Sequence, residues 1–382
     1  MRSETEKSSS RAMAVLHPAF ALTGVMHAIG GPLMPSLATA FHLNDNQAGV
    51  LFLLYFGGTS LGALLCRGNY ARNMAFGFLG AALCCLAVAA ASRPILPALF
   101  LLLGVGVGVP MSAVSLYTGR NFAARCAPVL TVLNFSWSVG AFAAPLLAAQ
   151  VLLHYGFRTA YVILAVIAAT AALACGLLLK DSPEQARPVI EVRKGANIRL
   201  IVVFAVAAFL QVGVENTSAA WLSTYSLRMV GGGVAIAAAA SSFYWAGFLS
   251  SRGIASLVLL RVRPMSVFRV AVVVALVAGI FLAKVSSVAG RDMAMLALGA
   301  ALAPVYPLVI AASLVSTRQT SDSRWVLATA GFGGSVLPWS AGWISNHAGS
   351  MRAGILVIPA ALLLMALLVV AMGSGRNAIT AE

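Results

Sequence analysis

Ten of the 382 residues are acidic. Nine of them fall in tails, in loops or at the ends of apolar runs. The tenth, Glu215, lies inside an apolar run at about 198–226. A carboxylate exposed to hydrocarbon is costly, so this one must face protein or water, and an ionisable group at such a depth marks a functional site. Three kinds of chemistry are open to it. It can hold a cation, take up and release a proton, or accept hydrogen bonds from a hydroxylated solute. A helix turns about 100° per residue, so Gln211, Glu215, Ser218, Leu222 and Tyr225 share one face, with Asn216 and Trp221 to its sides. A stripe so rich in polar groups is expected to line a cavity rather than to meet lipid.

Other residues could serve the same chemistry. His27 sits in the first apolar run, one helical turn from Gly30 and Gly31, whose small size leaves room for a ligand. Asn134 and Ser138 share a helical face in the fifth run. Trp137, Trp221, Trp245 and Trp339 offer indole faces for stacking on the C–H face of a hydroxylated solute. The substrate-contact set is therefore His27, Asn134, Trp137, Gln211, Glu215, Asn216, Trp221 and Trp339, with Glu215 as the expected site of coupling to H+ or Na+. Arg252 is the one Lys or Arg deep inside a run, away from its ends. It is read as a gate residue packed on carbonyls, with a carboxylate clamp or an ion pair to Glu215 as alternatives. Counting a rise of 1.5 Å per residue from the run centres puts the two about 12 Å apart in depth, which strains a direct pair. Catalytic and metal-ligating residues are not expected. No H-E-x-x-H or Walker pattern occurs, and the histidines are scattered. The chain is therefore not read as an enzyme, and no cofactor is expected. The glycines of Gly104-x-Gly106-x-Gly108 lie in an apolar helix and are read as packing residues rather than a phosphate loop.

The elements that must position these groups are membrane spans. Mean hydropathy is +0.94 and only 9% of residues are charged, too apolar for a soluble domain of this length. Twelve runs are long enough to cross a bilayer, which takes roughly 20 residues. They lie at about 14–41, 48–66, 73–91, 95–118, 127–150, 159–179, 198–226, 234–260, 266–284, 292–316, 325–346 and 352–373. The first is too long for a signal peptide and is expected to be retained. With the N-terminus inside, 18 Lys and Arg fall on cytoplasmic connections and 6 on the outer ones, so both termini are expected in the cytoplasm. The net charge of +15 then reads as contact with anionic lipid rather than nucleic acid. Cys66, Cys84, Cys85, Cys126 and Cys175 lack metal-site spacing and read as small packing residues. The one long polar break, Lys180–Arg199, divides the chain into six and six. The expected domains are 1–180 and 199–382, joined by a cytoplasmic linker at 181–198.

The halves repeat. Gly140 and Pro145 in span 5 have counterparts 193 residues on, in Gly333 and Pro338 of span 11, and Pro110 has one 194 on, in Pro304. Gly and Pro at matching places point to the moving elements of a transporter. Gly140, Pro145, Gly333 and Pro338 are thus expected to break or bend their spans and to pack on the opposite half. Gly333→Leu is expected to slow transport while leaving the fold intact.

These features resemble the Major Facilitator Superfamily. Gly62-Ala-Leu-Leu-Cys66-Arg67-Gly-Asn-Tyr-Ala-Arg72 resembles its loop motif G-x-L-x-D-R-x-G-R-R, with Cys66 at the acidic position. Gly31-Pro-Leu-Met-Pro35, Asn134 through Pro145, Gly213-Val-Glu215 through Trp221 and Tyr225, and Gly331 through Pro338 are similar to fucose-permease-like sugar transporters. The resemblance implies an all-α membrane protein, twelve transmembrane helices in two pseudo-symmetric six-helix bundles. It also implies alternating access for a small polar solute, a sugar or polyol, in a bacterial cytoplasmic membrane. Fucose permeases use an Asp in span 1 and a Glu in span 4, and this chain has a carboxylate in neither. Proton-driven efflux of lipophilic compounds and a transporter-like receptor are the alternative functions. A monomer is expected.

Overall fold

The computed structural model describes residues 2–122, 125–181, 198–231, 233–317 and 320–379. Its elements are α1 (Arg2–Phe41), α2 (Asp45–Leu65), α3 (Tyr70–Ala90), α4 (Leu96–Asn121), α5 (Cys126–His154), α6 (Phe157–Leu178), α7 (Ile198–Val230) and α8 (Val234–Ala240). They continue with α9 (Ser242–Val258), α10 (Pro264–Lys284), α11 (Val288–Leu302), α12 (Val305–Thr317), α13 (Thr320–Ala348), α14 (Met351–Ile355) and α15 (Val357–Ile379). No strand occurs among the described residues. The protein is all-α, because in hydrocarbon a helix satisfies every backbone group internally. Most of the expected linker, 181–198, lies outside the described residues.

Among the described residues, eleven segments are long and apolar enough to cross a membrane. The run at 325–346 corresponds to α13, 29 residues long, whose apolar character is diluted by Gly, Ser, Thr and Asn. Large apolar side chains such as Leu83, Leu177, Val270 and Leu367 are exposed on the helices. In water such faces would be a liability, whereas in a bilayer they are the lipid contact. This is a multi-pass integral membrane protein.

By contact the chain forms two compact units. The first comprises Met1–Leu43, Val50–Val189 and Gly232–Ser242, and the second Asn44–Gly49, Ile190–Gly231 and Phe243–Glu382. In the first, α1 packs along α5 and α3 along both α4 and α6. In the second, α7 packs along α13 and α10 along α11 and α15.

The repeat is written into the packing. A Cβ on Gly24 would fall 2.1 Å from the Trp137 carbonyl oxygen, and one on Gly140 would fall 1.9 Å from that of Ala21. In the second unit a Cβ on Gly333 would fall 2.1 Å from the Phe209 oxygen, and one on Gly213 would fall 3.0 Å from that of Gly333. Gly140 and Gly333 therefore join each helix to a partner in its own unit, where a partner in the opposite half was expected. Even a methyl group at these positions would strike backbone, so Gly333→Leu should damage the fold itself, contrary to the expectation above.

Of the two outcomes expected at the prolines, a break or a bend, the break does not occur. Helices α5 and α13 run unbroken through Pro145 and Pro338. The interruptions fall instead at Ser241, at Ala303–Pro304 and at Leu356. Proline lacks the N–H that would bond the carbonyl four residues back, so whether a helix continues depends on what else serves that carbonyl.

Candidate functional site

In the second unit, α7 carries the polar stripe. Glu215 is partly buried, and Gln211, Asn216, Ser218, Trp221 and Tyr225 around it are buried. Gln211 and Glu215 face α9 and α11–α12. The Gln211 amide Nε2 donates to the Leu302 carbonyl at 3.1 Å, at the interruption before Pro304. Tyr244 and Arg252 of α9 and Tyr306 of α12 lie within electrostatic range of Glu215. Tyr244 is fully buried and approaches Ser218.

Arg252 lies with its guanidinium carbon 4.7 Å from the Phe248 ring centroid. Side chains on a helix lean toward its N-terminus, so Arg252 reaches back one turn over Phe248 and toward Glu215. That lean closes much of the depth gap counted from the sequence. The set is one carboxylate, one guanidinium, two phenols and a primary amide on three helices of one unit. It can hold a proton between acid and neighbours, and it can exchange hydrogen bonds with a hydroxylated solute.

Asn216 and Trp221 were expected at substrate, but both have donors directed into α13. Asn216 Nδ2 donates to the Gly334 carbonyl at 2.9 Å, and the Trp221 indole donates to the Pro338 carbonyl at 2.7 Å. The Gly334 carbonyl is the one that Pro338 leaves without a backbone donor. Tyr225 likewise donates to the Leu282 carbonyl at 2.7 Å. Trp339 is half-buried, with its backbone against Gly49.

In the first unit the counterpart is aromatic. The motif Ala-Phe-x-x-x-Gly-Val occurs at Ala19–Val25 and again 189 residues on, at Ala208–Val214. That register sets Met26 against Glu215 and His27 against Asn216. His27 is 7% exposed, with its ring centroid 5.3 Å from that of Trp137 and 5.4 Å from that of Phe56. Tyr55 donates to the Met26 carbonyl at 2.8 Å. His27 and Trp137, far apart in sequence, are therefore brought together. Asn134 is exposed and its amide donates to Leu130 of its own helix at 2.8 Å. Pro145 is buried in α5.

Two charged clusters escaped the sequence reading. Asp45 accepts both Arg228 guanidinium nitrogens at 2.6 and 2.5 Å and the Ser345 hydroxyl at 2.5 Å, all within the second unit. Asp181 follows α6 and accepts the backbone N–H of Tyr70 and, at 3.4 Å, that of Ala71, so it caps α3. Arg120 approaches it at 3.8 Å and stacks 4.2 Å over Tyr70. Asp181 thus supplies the negative charge that Cys66 cannot bring to the loop before α3. The absent acid in that loop was the available hint, but nothing local to residue 66 points to residue 181.

The sequence model of the Major Facilitator Superfamily matches residues 16–323. A glucose/galactose transporter of Brucella abortus biovar 1 (strain 9-941) is 24% identical over 377 residues, covering 90% of this chain and 91% of its own. Among solved structures, a D-xylose-proton symporter superposes with a TM-score of 0.77 at 15% identity, covering 94% of this chain and 96% of its own. The fucose:proton symporter FucP of E. coli does so with a TM-score of 0.60 at 18% identity, covering 94% and 97%. At these identities the structural likeness speaks for the fold alone.

Proposed function

The chain belongs to the Major Facilitator Superfamily, and from that premise we propose that it is a secondary carrier of a neutral monosaccharide, coupled to a cation through Glu215. The observation that carries the reading is the placement of Glu215, the one acid inside a span, within electrostatic range of Arg252, Tyr244 and Tyr306. Coupling needs a group whose charge changes with its occupant, and here the acid has a positive neighbour and two phenols to answer that change. A proton suits this set better than Na+, because the guanidinium already supplies positive charge and a metal ion would be repelled by it. The sugar class is supported by the named relative, a glucose/galactose transporter, and by the open amide oxygen of Gln211, which is buried without a hydrogen-bond partner and can accept from a hydroxyl. His27 and Trp137 offer a second, aromatic surface. Residues 1–180 and 199–382 then act as the two halves of an alternating-access carrier, with both termini in the cytoplasm of a bacterial inner membrane, as the basic-residue bias supports.

Uptake by proteoliposomes of labelled glucose, galactose, xylose and fucose, with and without an inward proton gradient, tests this. Concentrative uptake of one or more sugars that collapses when the gradient is dissipated is the expected result. Uptake that follows a Na+ gradient alone would replace the proton. No uptake of any sugar, with export of amphiphilic cations instead, would overturn the substrate class.

A further inference from the structure

The α7–α13 contact contains a device that the transport reading does not use. Pro338 removes one backbone donor from α13, and the carbonyl it strands is that of Gly334. A stranded carbonyl buried in a protein needs a donor from elsewhere. Asn216 supplies it at 2.9 Å, and Trp221, five residues further along α7, donates to the Pro338 carbonyl at 2.7 Å. The two bonds bracket the proline. Both donors are buried, at 5% and 1% exposure. The amide orientation is settled by chemistry, since the alternative would set oxygen against oxygen. Glycine makes the contact possible. A Cβ on Gly334 would fall 2.6 Å from Asn216 Nδ2, and one on Gly342 would fall 2.6 Å from the Trp221 ring.

We propose that Asn216 and Trp221 are positioning residues that clamp the proline-weakened turn of α13, so that any displacement of the α7 turn carrying Glu215 is passed to α13 as a change of bend. A helix bends most readily where a rung of its ladder is missing. Here the missing rung is replaced by a side chain adjacent in sequence to Glu215, so the two cannot move independently. The inference rests on the preceding reading only in taking Glu215 as the group whose occupancy changes.

The test uses full-length protein in lipid nanodiscs and needs no substrate. Hydrogen exchange of the α13 amides at 335–342 is followed in the parent, Glu215→Gln, Asn216→Ala and the double variant. Glu215→Gln should alter exchange about fivefold when Asn216 is present and leave it unchanged when Asn216 is replaced. The same shift in both backgrounds, or none in either, would overturn the clamp. A second variant separates positioning from plain stability. Pro338→Ala returns a backbone N–H to the Gly334 carbonyl. It should restore the melting temperature of Asn216→Ala while turnover in sugar counterflow stays about tenfold below the parent with KM little changed. Recovery of both stability and turnover would reduce Asn216 to a structural residue. If Asn216→Ala alone does not fold, Asn216→Ser, whose side chain is too short to reach the Gly334 carbonyl, takes its place in the exchange comparison. If no sugar is transported, the sugar reading fails while the exchange result still decides the clamp.

Discussion

At the α1–α5 crossing Gly24 and Gly140 bring two backbones into contact, and at the α7–α13 crossing Gly213 and Gly333 do the same. The chemistry beside the two crossings differs. The first unit places His27 among Phe56 and Trp137, with no carboxylate in the apolar run at 14–41. The second places Glu215 near Arg252 and spends its amides on carbonyls at helix weak points. Duplication has kept what the backbone needs, namely small residues where helices touch, and has let the polar groups diverge. Beside these crossings the carboxylate lies in one half, while the other offers aromatic rings and the imidazoles of His17 and His27.

The strongest way to break this comparison is Glu215→Gln. It keeps the shape and removes the titration, so concentrative sugar uptake should be abolished while equilibrative exchange persists. Counterflow and gradient-driven uptake measured on one preparation would separate these, and concentrative uptake at the parent level would show that the charged half has no special role. Next come the crossings themselves. Gly140→Ala and Gly333→Ala should each destabilise by about 1–3 kcal/mol, since the added methyl meets backbone rather than a movable side chain. Thermal unfolding in detergent should show losses of similar size in the two variants, as equivalent positions require, and a loss at one only would deny the equivalence.

A third change probes the aromatic half. His27→Phe preserves the ring packing but removes the nitrogens. Stability should change little, while sugar affinity falls about tenfold, or about 1.4 kcal/mol, measured by equilibrium binding. Unchanged affinity would leave His27 a packing residue. The pair Asp45–Arg228 is bidentate, but the Arg228 side chain is 47% exposed, so a double-mutant cycle should give about 1 kcal/mol or less. The smallest effect concerns Cys66, which lies between spans. Burial, and then the Asp181 charge, push its thiol above the ordinary range, against the pull of a hydrogen bond from Asn73. Its thiolate should therefore be scarce at neutral pH, and maleimide labelling should be slow there and quicken only as the pH rises past the usual thiol value. Rapid labelling at pH 7 would contradict that burial.

The extent of the spans was legible because hydropathy is a local property, and the repeat was legible because glycines at crossings cannot vary freely. Of the expectation that Pro145 and Pro338 would break or bend their helices, the break failed for a non-local reason. Helix α13 continues through Pro338 with the stranded Gly334 carbonyl served by Asn216, 118 residues away in sequence. Likewise Asn216 and Trp221 read as solute contacts from their nearness to Glu215, yet helical angle alone does not say which neighbour a flanking residue meets.

From sequence alone came the all-helical membrane architecture, the isolation of Glu215 as the one acid in a span, the polar stripe on α7 and the register between the halves. Each depends on residue type and spacing along a single helix, where 3.6 residues per turn and the thickness of hydrocarbon do the deciding. Only the tertiary structure decided that Arg252 leans over Phe248 toward Glu215, that Asp181 caps α3, that Asp45 meets Arg228, and that the α7 amides mend weak points in α11 and α13. Those pairings join residues brought together by helix crossings, and a crossing is set by how two whole surfaces interlock rather than by any one stretch of chain.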